Sequence, residues 1–224
     1  HARRYLKVLR PMSLTSGDVG KSFTVNYDSQ YGNGTPIDGL TATIQFTLTG
    51  VSGNNYSFNY SVNNTSTIPI TSARISGFGF NTNPNITGAS STGVFNTVGS
   101  GNAGNLGNID VCFKAGGGSA NCSGGGGGGV DLGGTSGGTL TLNFGSAFSS
   151  IDLSDFFVRY QTIDGAGDIQ SAVGTGTVTP VPEPADLALF GIGAAGLMIG
   201  WRRSARSRRA AGRLAPGKLG LRDR

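Results

Sequence analysis

A strict alternation of apolar and polar residues constrains the fold of this chain more than any other feature. In residues 40–48, LTATIQFTL, every second side chain is apolar, and residues 56–62, YSFNYSV, repeat the pattern. A period of two places the apolar side chains on one face of a β-strand. The intervening segment GVSGNN contains residues that tolerate a positive φ angle. The two segments are therefore predicted to form an antiparallel hairpin.

Shorter segments with the same period predict further strands. They are SFTVNY (22–27), ARISGFGF (73–80), TLTLNF (139–144), FFVRY (156–160) and GTGTVT (174–179). Within residues 156–160 we expect Phe156, Val158 and Tyr160 to share one face. About seven short strands separated by turn-rich stretches predict an all-β fold, either an antiparallel β-sandwich or a jelly-roll-like domain.

Glycine dominates the middle of the chain. Of the 40 glycines in 224 residues, 13 lie in residues 114–138. Such a segment buries too little apolar area to offset the entropy lost on ordering it, which predicts a flexible loop or an interdomain linker. A phosphate-binding loop is not expected, because no Lys followed by Ser or Thr stands at the required spacing and no strong strand and helix flank the glycines.

Charge is divided unequally along the chain. Residues 11–180 contain four basic residues and nine aspartates, whereas residues 201–224 contain nine basic residues and one aspartate. A nucleic-acid-binding surface would need basic residues spread over a folded face and interleaved with aromatic ones. Here the basic residues follow an apolar segment, so nucleic-acid binding is not expected.

Residues suited to catalysis are scarce. The single histidine is His1, which leaves Ser-His-Asp and Cys-His arrangements without an internal proton acceptor. Carboxylate pairs of the glycosidase kind could come from Asp152 with Asp155 or from Asp164 with Asp168, but both pairs lie in sequences typical of turns. We therefore expect no catalytic residues, no metal site and no cofactor.

Cys112 and Cys122 lie at the start of the glycine-rich segment. Two cysteines at this spacing are compatible with a disulfide, with free thiols or with half of a metal site, and the metal site would need two further ligands. The disulfide is the preferred interpretation. It would close a loop of about eleven residues and indicate an oxidising compartment for residues 12–180, which we call the body.

A segment of three parts follows the body. Val181, Pro182, Glu183 and Pro184 precede an apolar stretch, residues 187–201, and a basic cluster comes next. The cluster consists of Arg202, Arg203, Arg206, Arg208 and Arg209. As a helix, the 15 apolar or glycine residues would extend about 22 Å, against a hydrocarbon core of about 30 Å. Trp201 and the arginines suit the cytoplasmic boundary of a membrane. We predict one apolar C-terminal transmembrane helix, a cytoplasmic basic tail at residues 210–224, and the body on the opposite side.

The order and spacing of residues 181–209 resemble the PEP-CTERM sorting signal of Gram-negative bacteria. The resemblance implies that a membrane-embedded exosortase recognises the Pro-Glu-Pro region, cuts there, and releases the body to the cell surface or an exopolysaccharide matrix. The helix would then hold the chain in the inner membrane only transiently. Three stretches of the body also resemble the cistern family, which brings no catalytic residues. They are SLTSGDVGKSFTVNYD (13–28), CFKAGGGSANCSGGGGGG (112–129) and FFVRYQTI (156–163).

These features lead to two hypotheses about function. The first is an exported, non-enzymatic structural protein of the cell surface or biofilm matrix, with the exosortase as processing partner and exopolysaccharide as a candidate partner. The second is a membrane-anchored carbohydrate-binding module, whose aromatic surface would come from tyrosines that are equally compatible with the core. Those tyrosines are Tyr27, Tyr31, Tyr56, Tyr60 and Tyr160. Residues 1–11 are left unassigned and show no apolar segment of signal-peptide length, so export is expected from the C-terminal segment alone.

Overall fold

A computed structural model describes residues 11–31, 34–118, 120–123 and 127–180 of the chain. Within these ranges the chain forms thirteen strands and two short 3₁₀ turns, Ser16–Asp18 and Gly104–Leu106. The strands are β1 (Met12–Thr15), β2 (Ser22–Tyr31), β3 (Thr35–Pro36), β4 (Ala42–Ser52), β5 (Asn55–Asn64), β6 (Ser72–Asn83), β7 (Ile86–Ser91), β8 (Thr97–Asn102), β9 (Asn108–Lys114), β10 (Val130–Asp131), β11 (Thr135–Phe144), β12 (Ser150–Asp164) and β13 (Ser171–Pro180). The predicted C-terminal helix, residues 187–201, lies outside the described residues.

The strands form one continuous antiparallel sheet. Their order is β7, β11, β5, β4, β2, β13, β12, β6, β9, β8, and the short strands β1, β10 and β3 pair with β12, β6 and β2. The end strands β7 and β8 approach each other, so the sheet curves nearly into closure around its core. The predicted all-β antiparallel class is confirmed. The separate sheets predicted for a sandwich or jelly roll are not formed, because all the described strands hydrogen-bond into one nearly closed sheet.

The predicted hairpin is formed by β4 and β5. Ala42 is paired with Asn64 at one end and Ser52 with Asn55 at the other. The turn is therefore only Gly53 and Asn54, and it requires the positive φ of 59° that Gly53 adopts. The pattern placed the strands and their inward face correctly, but the strands extend further into GVSGNN than the sequence predicted.

Aromatic rings fill the core enclosed by the sheet. Phe23 of β2 stacks on Phe46 of β4 with ring centroids 5.3 Å apart, and Phe46 also meets the edge of Phe78 of β6 at 5.9 Å. These three side chains are 0–1% exposed. Offset and edge-to-face contacts of this kind add to the burial of apolar area. The inward face of the alternating strands is thus the core, as the period of two predicts.

Strand β12 departs from simple alternation. Its pairing with β6 shifts register at three places, and Asp155 and Thr162 adopt left-handed φ angles of 49° and 51° beside two of them. Such bulges re-aim the side chains that follow them. Phe156 packs in the main core, whereas Phe157 packs in a separate small cluster of buried residues. The predicted shared face of Phe156, Val158 and Tyr160 is confirmed, and the burial of Phe157 on the other face was not predicted.

Glycines on β13 bring that strand close to the core. A Cβ atom on Gly176 would lie 2.7 Å from the Cβ atom of Phe156 and 2.9 Å from Cε1 of Tyr27. The alternation in GTGTVT therefore places glycine inward and threonine outward, a pattern that hydrophobicity alone does not show. Large rings from β2 and β12 occupy the space that these glycines leave.

The glycine-rich segment is shorter than predicted. Val130 and Asp131 form β10 and pair with Ile75 and Arg74 of β6, and Val130 is buried. Residues 135–138 already belong to β11, which pairs with β5. The interpretation of residues 114–138 as one flexible loop or an interdomain linker is therefore wrong, because the strands that follow the glycine tract return to the same sheet.

Candidate functional site

The end of β13 determines where the C-terminal segment leaves the body. Val178 is paired with Val25 and Pro180 with Phe23 of β2, so pairing continues to the last described residue. Asn26 on β2 donates a hydrogen bond of 3.2 Å from Nδ2 to Oγ1 of Thr179. The predicted sorting motif begins at Val181, directly after this strand. Cleavage among residues 181–184 would thus leave every pair of β13 intact.

A disulfide joins Cys112 of β9 to Cys122, with the two Cα atoms 5.8 Å apart. The loop between them folds back on the sheet, where the amide of Ser100 donates a 2.9 Å hydrogen bond to the carbonyl of Ala120. Lys114 Nζ donates another of 2.9 Å to the carbonyl of Asn121. Burial lowers the pKa of the Lys114 ammonium group. The loop is therefore attached to the sheet at several points besides the disulfide.

The disulfide belongs to a second small core on the outer side of the sheet. Cys112 and Cys122 pack there with Ala103, Ile109 and Phe157. Glycines flank Cys112 on both neighbouring strands, since its Cα partners are Gly79 on β6 and Gly99 on β8. The sequence pointed to the pair of cysteines, but gave no signal for the buried cluster around them.

Removing this disulfide should destabilise the body substantially. Closure of a loop of about eleven residues lowers the entropy of the unfolded chain by roughly 2.8 kcal/mol at 25 °C. We expect Cys112→Ala with Cys122→Ala to lower the free energy of unfolding by about 3 kcal/mol, because the second core also loses contacts. Urea unfolding of a chain ending at Val181 measures the change.

Reductant provides the control for this experiment. Wild-type protein unfolded in the presence of a thiol reductant should approach the stability of the double variant, and the double variant should not respond to reductant. A double variant as stable as the oxidised wild type would show that the disulfide contributes nothing to folding.

The aspartates predicted as possible catalytic pairs lie at strand ends and bulges. Asp155 Oδ2 accepts a 3.0 Å hydrogen bond from Nδ2 of Asn81, across the β12–β6 bulge. Asp152 is the Cα partner of Asn83, and Asp164 that of Ser72. Asp168 lies in the turn between β12 and β13. Asp155 thus has a partner that holds the bulged strand in place.

The described tyrosines form no exposed aromatic surface. Tyr27, Tyr56, Tyr60 and Tyr160 are 0–3% exposed, and the side chain of Tyr31 lies outside the described part of the chain. Burial raises the pKa of the Tyr60 hydroxyl, which donates a 2.6 Å hydrogen bond to the carbonyl of Thr92. The four described tyrosines are core residues and cannot stack on a sugar ring.

The described ranges offer neither a metal cluster nor a spanning helix. Among the described residues, no group of three or more His, Cys, Asp or Glu side chains is placed to hold a metal ion. No helix in the described ranges has the length and apolar character needed to cross a bilayer. The sorting residues 181–184, the arginines at 202, 203, 206, 208 and 209, and the tail at 210–224 all lie outside these ranges.

Comparison with known proteins identifies the C-terminal segment. Residues 180–204 match the family model described as the PEP-CTERM protein-sorting motif. No curated protein and no solved structure gave a significant match. The match covers the signal alone, so the resemblance of the body to the cistern family stays a prediction.

The matched sorting motif defines the class of protein. A PEP-CTERM signal marks a protein that is exported and sorted to the cell surface, and it implies processing by a partner of the exosortase type. The chain accordingly carries a PEP-CTERM protein-sorting motif, and the matched segment begins at Pro180, the last residue of the last strand of the described β domain.

Proposed function

We propose that this protein is a structural component of the bacterial cell surface or biofilm matrix, delivered through the inner membrane by an exosortase that removes the C-terminal segment. The observation that carries the proposal is the position of the signal. The matched segment begins at residue 180, where the pairing of β13 with β2 ends. A cut after this strand releases a domain whose sheet and core are complete.

A non-enzymatic role agrees with the side chains of the body. Asp110 Oδ2 accepts a 2.8 Å hydrogen bond from the amide of Thr82, and Asp155 accepts one from Asn81. Asp18 forms a capping box with Thr15, and the hydrogen bonds from Thr15 lower the pKa of its carboxyl group. These contacts support the architecture and leave the named carboxylates engaged with backbone, amide, hydroxyl and ammonium groups rather than with one another.

Localisation tests the proposed role in the matrix. The full chain, fused to a competent signal peptide, would be produced in an exosortase-containing host and in a matched strain unable to make exopolysaccharide. We expect the processed body in the matrix fraction of the first strain and in the culture fluid of the second. Immunoblots of inner-membrane, surface, matrix and culture fractions measure the distribution.

Two results would contradict the proposal. An intact chain kept in the inner membrane, with the exosortase present, would favour the membrane-anchored carbohydrate-binding module. Hydrolysis of a polysaccharide by the purified chain would make it an enzyme if Asp155→Asn abolished the activity without changing the fold.

A further inference from the structure

Three of the four basic residues of the body lie together on the outer face of β6, β9 and β12. Arg159 of β12 is the Cα partner of Gly77 on β6, and Gly77 is in turn the Cα partner of Lys114 on β9. Lys114 Cγ lies 3.3 Å from the point that a Cβ atom on Gly77 would occupy. The lysine stem therefore covers the glycine that separates it from Arg159. Arg74 of β6 is the Cα partner of Gln161, two residues beyond Arg159.

The two guanidinium groups have donors to spare. Arg74 Nη2 donates to Oε1 of Gln161, and Arg159 Nη2 donates to Oγ of Ser171, each at 3.3 Å. Both acceptors are neutral, and the Nε atoms of both arginines are buried without a hydrogen-bond partner. A guanidinium offers five N–H donors in a fixed plane. Most of the donors on each arginine are thus not used by hydrogen bonds within the described body.

No ion pair with a carboxylate neutralises the two arginines within the described part of the chain. The ion pair found there joins Lys21 to Asp18 at 3.3 Å, near the start of β2. Asp131 is the Cα partner of Arg74, and Asp164 lies on the same strand as Arg159, but neither aspartate forms an ion pair with Arg74 or Arg159. Two such guanidinium groups on one face of a body with excess aspartate indicate a site for an anionic ligand.

An open cleft of about 730 Å³ is lined in part by Arg74. Arg159 is not among the lining residues, but it donates its hydrogen bond to Ser171, which is. The polar lining of the cleft consists of Arg74, Gln161, Thr162, Asp164, Gln170 and Ser171. The arginines suit a carboxylate, since a guanidinium binds that group through two parallel hydrogen bonds. The amides and hydroxyls of the other residues suit the hydroxyl groups of a sugar. No aromatic residue is among those that line the cleft.

We propose that this cleft binds an acidic polysaccharide, with Arg74 and Arg159 holding uronate carboxylates and the glutamines and hydroxyls contacting the sugar rings. The arginine pair itself follows from the geometry. The choice of a polysaccharide over an acidic peptide rests on the function proposed above, which places the body in contact with an exopolysaccharide. Alternation places Arg159 and Gln161 on one face of β12, about 7 Å apart, so adjoining positions can contact successive groups of one chain.

Binding of defined probes to the full chain, purified in mild detergent, tests the proposal. The probes are an oligogalacturonate, a neutral oligosaccharide of equal length, poly-glutamate and inorganic phosphate, compared by calorimetry at low and high salt. We expect the oligogalacturonate to bind most tightly and to weaken with salt, because charge contributes to the affinity. Arg159→Met and Arg74→Met should each weaken binding at least tenfold, and Arg159→Lys should weaken it less.

Lys21→Met is the matched control. It removes one positive charge from the same body, at the residue just before β2 and nine residues before Gln30 of that strand. Gln30 is the Cα partner of Val173, which itself pairs with Arg159. Nine residues of strand span about 30 Å, so this variant should bind like the wild type. Circular dichroism and thermal unfolding confirm that each variant is folded, and Arg74→Gln replaces Arg74→Met if that protein does not fold.

Several outcomes would overturn the proposal. These are equal affinity for poly-glutamate and oligogalacturonate, binding of phosphate alone, no binding of any probe, and an equal loss in the Lys21 variant. The purified chain needs no exosortase, so the result is independent of sorting. A chain that binds the uronate but stays in the inner membrane would overturn the surface function alone, and a chain that is sorted without binding would overturn the cleft alone.

Discussion

Replacement of Pro182, Glu183 and Pro184 together by alanine should abolish C-terminal processing of the chain. The three residues lie in the matched sorting motif, and the exosortase is expected to recognise this region before it cuts. The last strand ends at Pro180, so the substitutions change no residue of the described sheet. We expect wild-type protein to end near residues 182–184 and the variant to keep its full C-terminus. Mass spectrometry of membrane and extracellular fractions measures both.

Pro216→Ala is the control for this variant, because it changes a proline of the C-terminal segment that lies outside the matched residues. It should be processed like the wild type. The disulfide should form in all three proteins if the body folds independently of processing. Normal processing of the triple-alanine chain would show that recognition lies elsewhere in the segment and would remove the basis for the proposed release.

The alternation of apolar and polar residues predicted the strands that have one face in the core and the other face towards solvent. In β4, Ile44, Phe46 and Leu48 face the core, and the intervening polar residues are more exposed. The hairpin with β5 and the strands β2, β6, β11, β12 and β13 were found in the same way. Short strands such as β1, β3 and β10 contain two to four residues. Two to four residues are too few for a period to be recognised.

The pattern could not predict features that depend on long-range pairing. Phe156 and Phe157 point to opposite faces of β12, as alternation requires, and both are buried because a second cluster of residues from other parts of the chain covers the outer face. Closure of the sheet depends on the neighbours of β12 and on the approach of β7 to β8, neither of which has a local signal. The glycine tract was misinterpreted because Val130 is buried by its pairing with Ile75, a residue 55 positions earlier.

The candidate sites also differ in whether they depend on local sequence or on long-range pairing. The sorting signal is local and linear, so the sequence alone placed it correctly. The cleft beside the arginines was missed because Arg74, Lys114 and Arg159 are far apart in the chain and meet only through the pairing of β6 with β9 and β12. The sequence shows that basic residues are rare in the acidic body, but it does not show that these three lie close together.

Gly79→Ala should destabilise the body strongly, although it adds only a single methyl group. Gly79 lies on β6 opposite Cys112, where the strands β6 and β9 and the ring of Phe157 approach closely. A Cβ atom would overlap the carbonyl oxygen of Val111 and lie 2.6 Å from Cε1 of Phe157 and 2.9 Å from Cα of Cys112. Two of these neighbours are backbone atoms of a paired strand, which cannot rotate away. We expect the free energy of unfolding to fall by about 3 kcal/mol or more.

Gly50→Ala provides the matched control, since Gly50 lies in β4 and a Cβ atom there would have no atom within 4 Å. Alanine restricts the unfolded chain more than glycine does, so this variant should be unchanged or more stable by about 0.5 kcal/mol. Urea unfolding of chains ending at Val181 compares the two variants. Equal stability of the two would mean that β6 and β9 can separate at low cost. In that case the close approach of the strands would not be what holds the disulfide and Phe157 together.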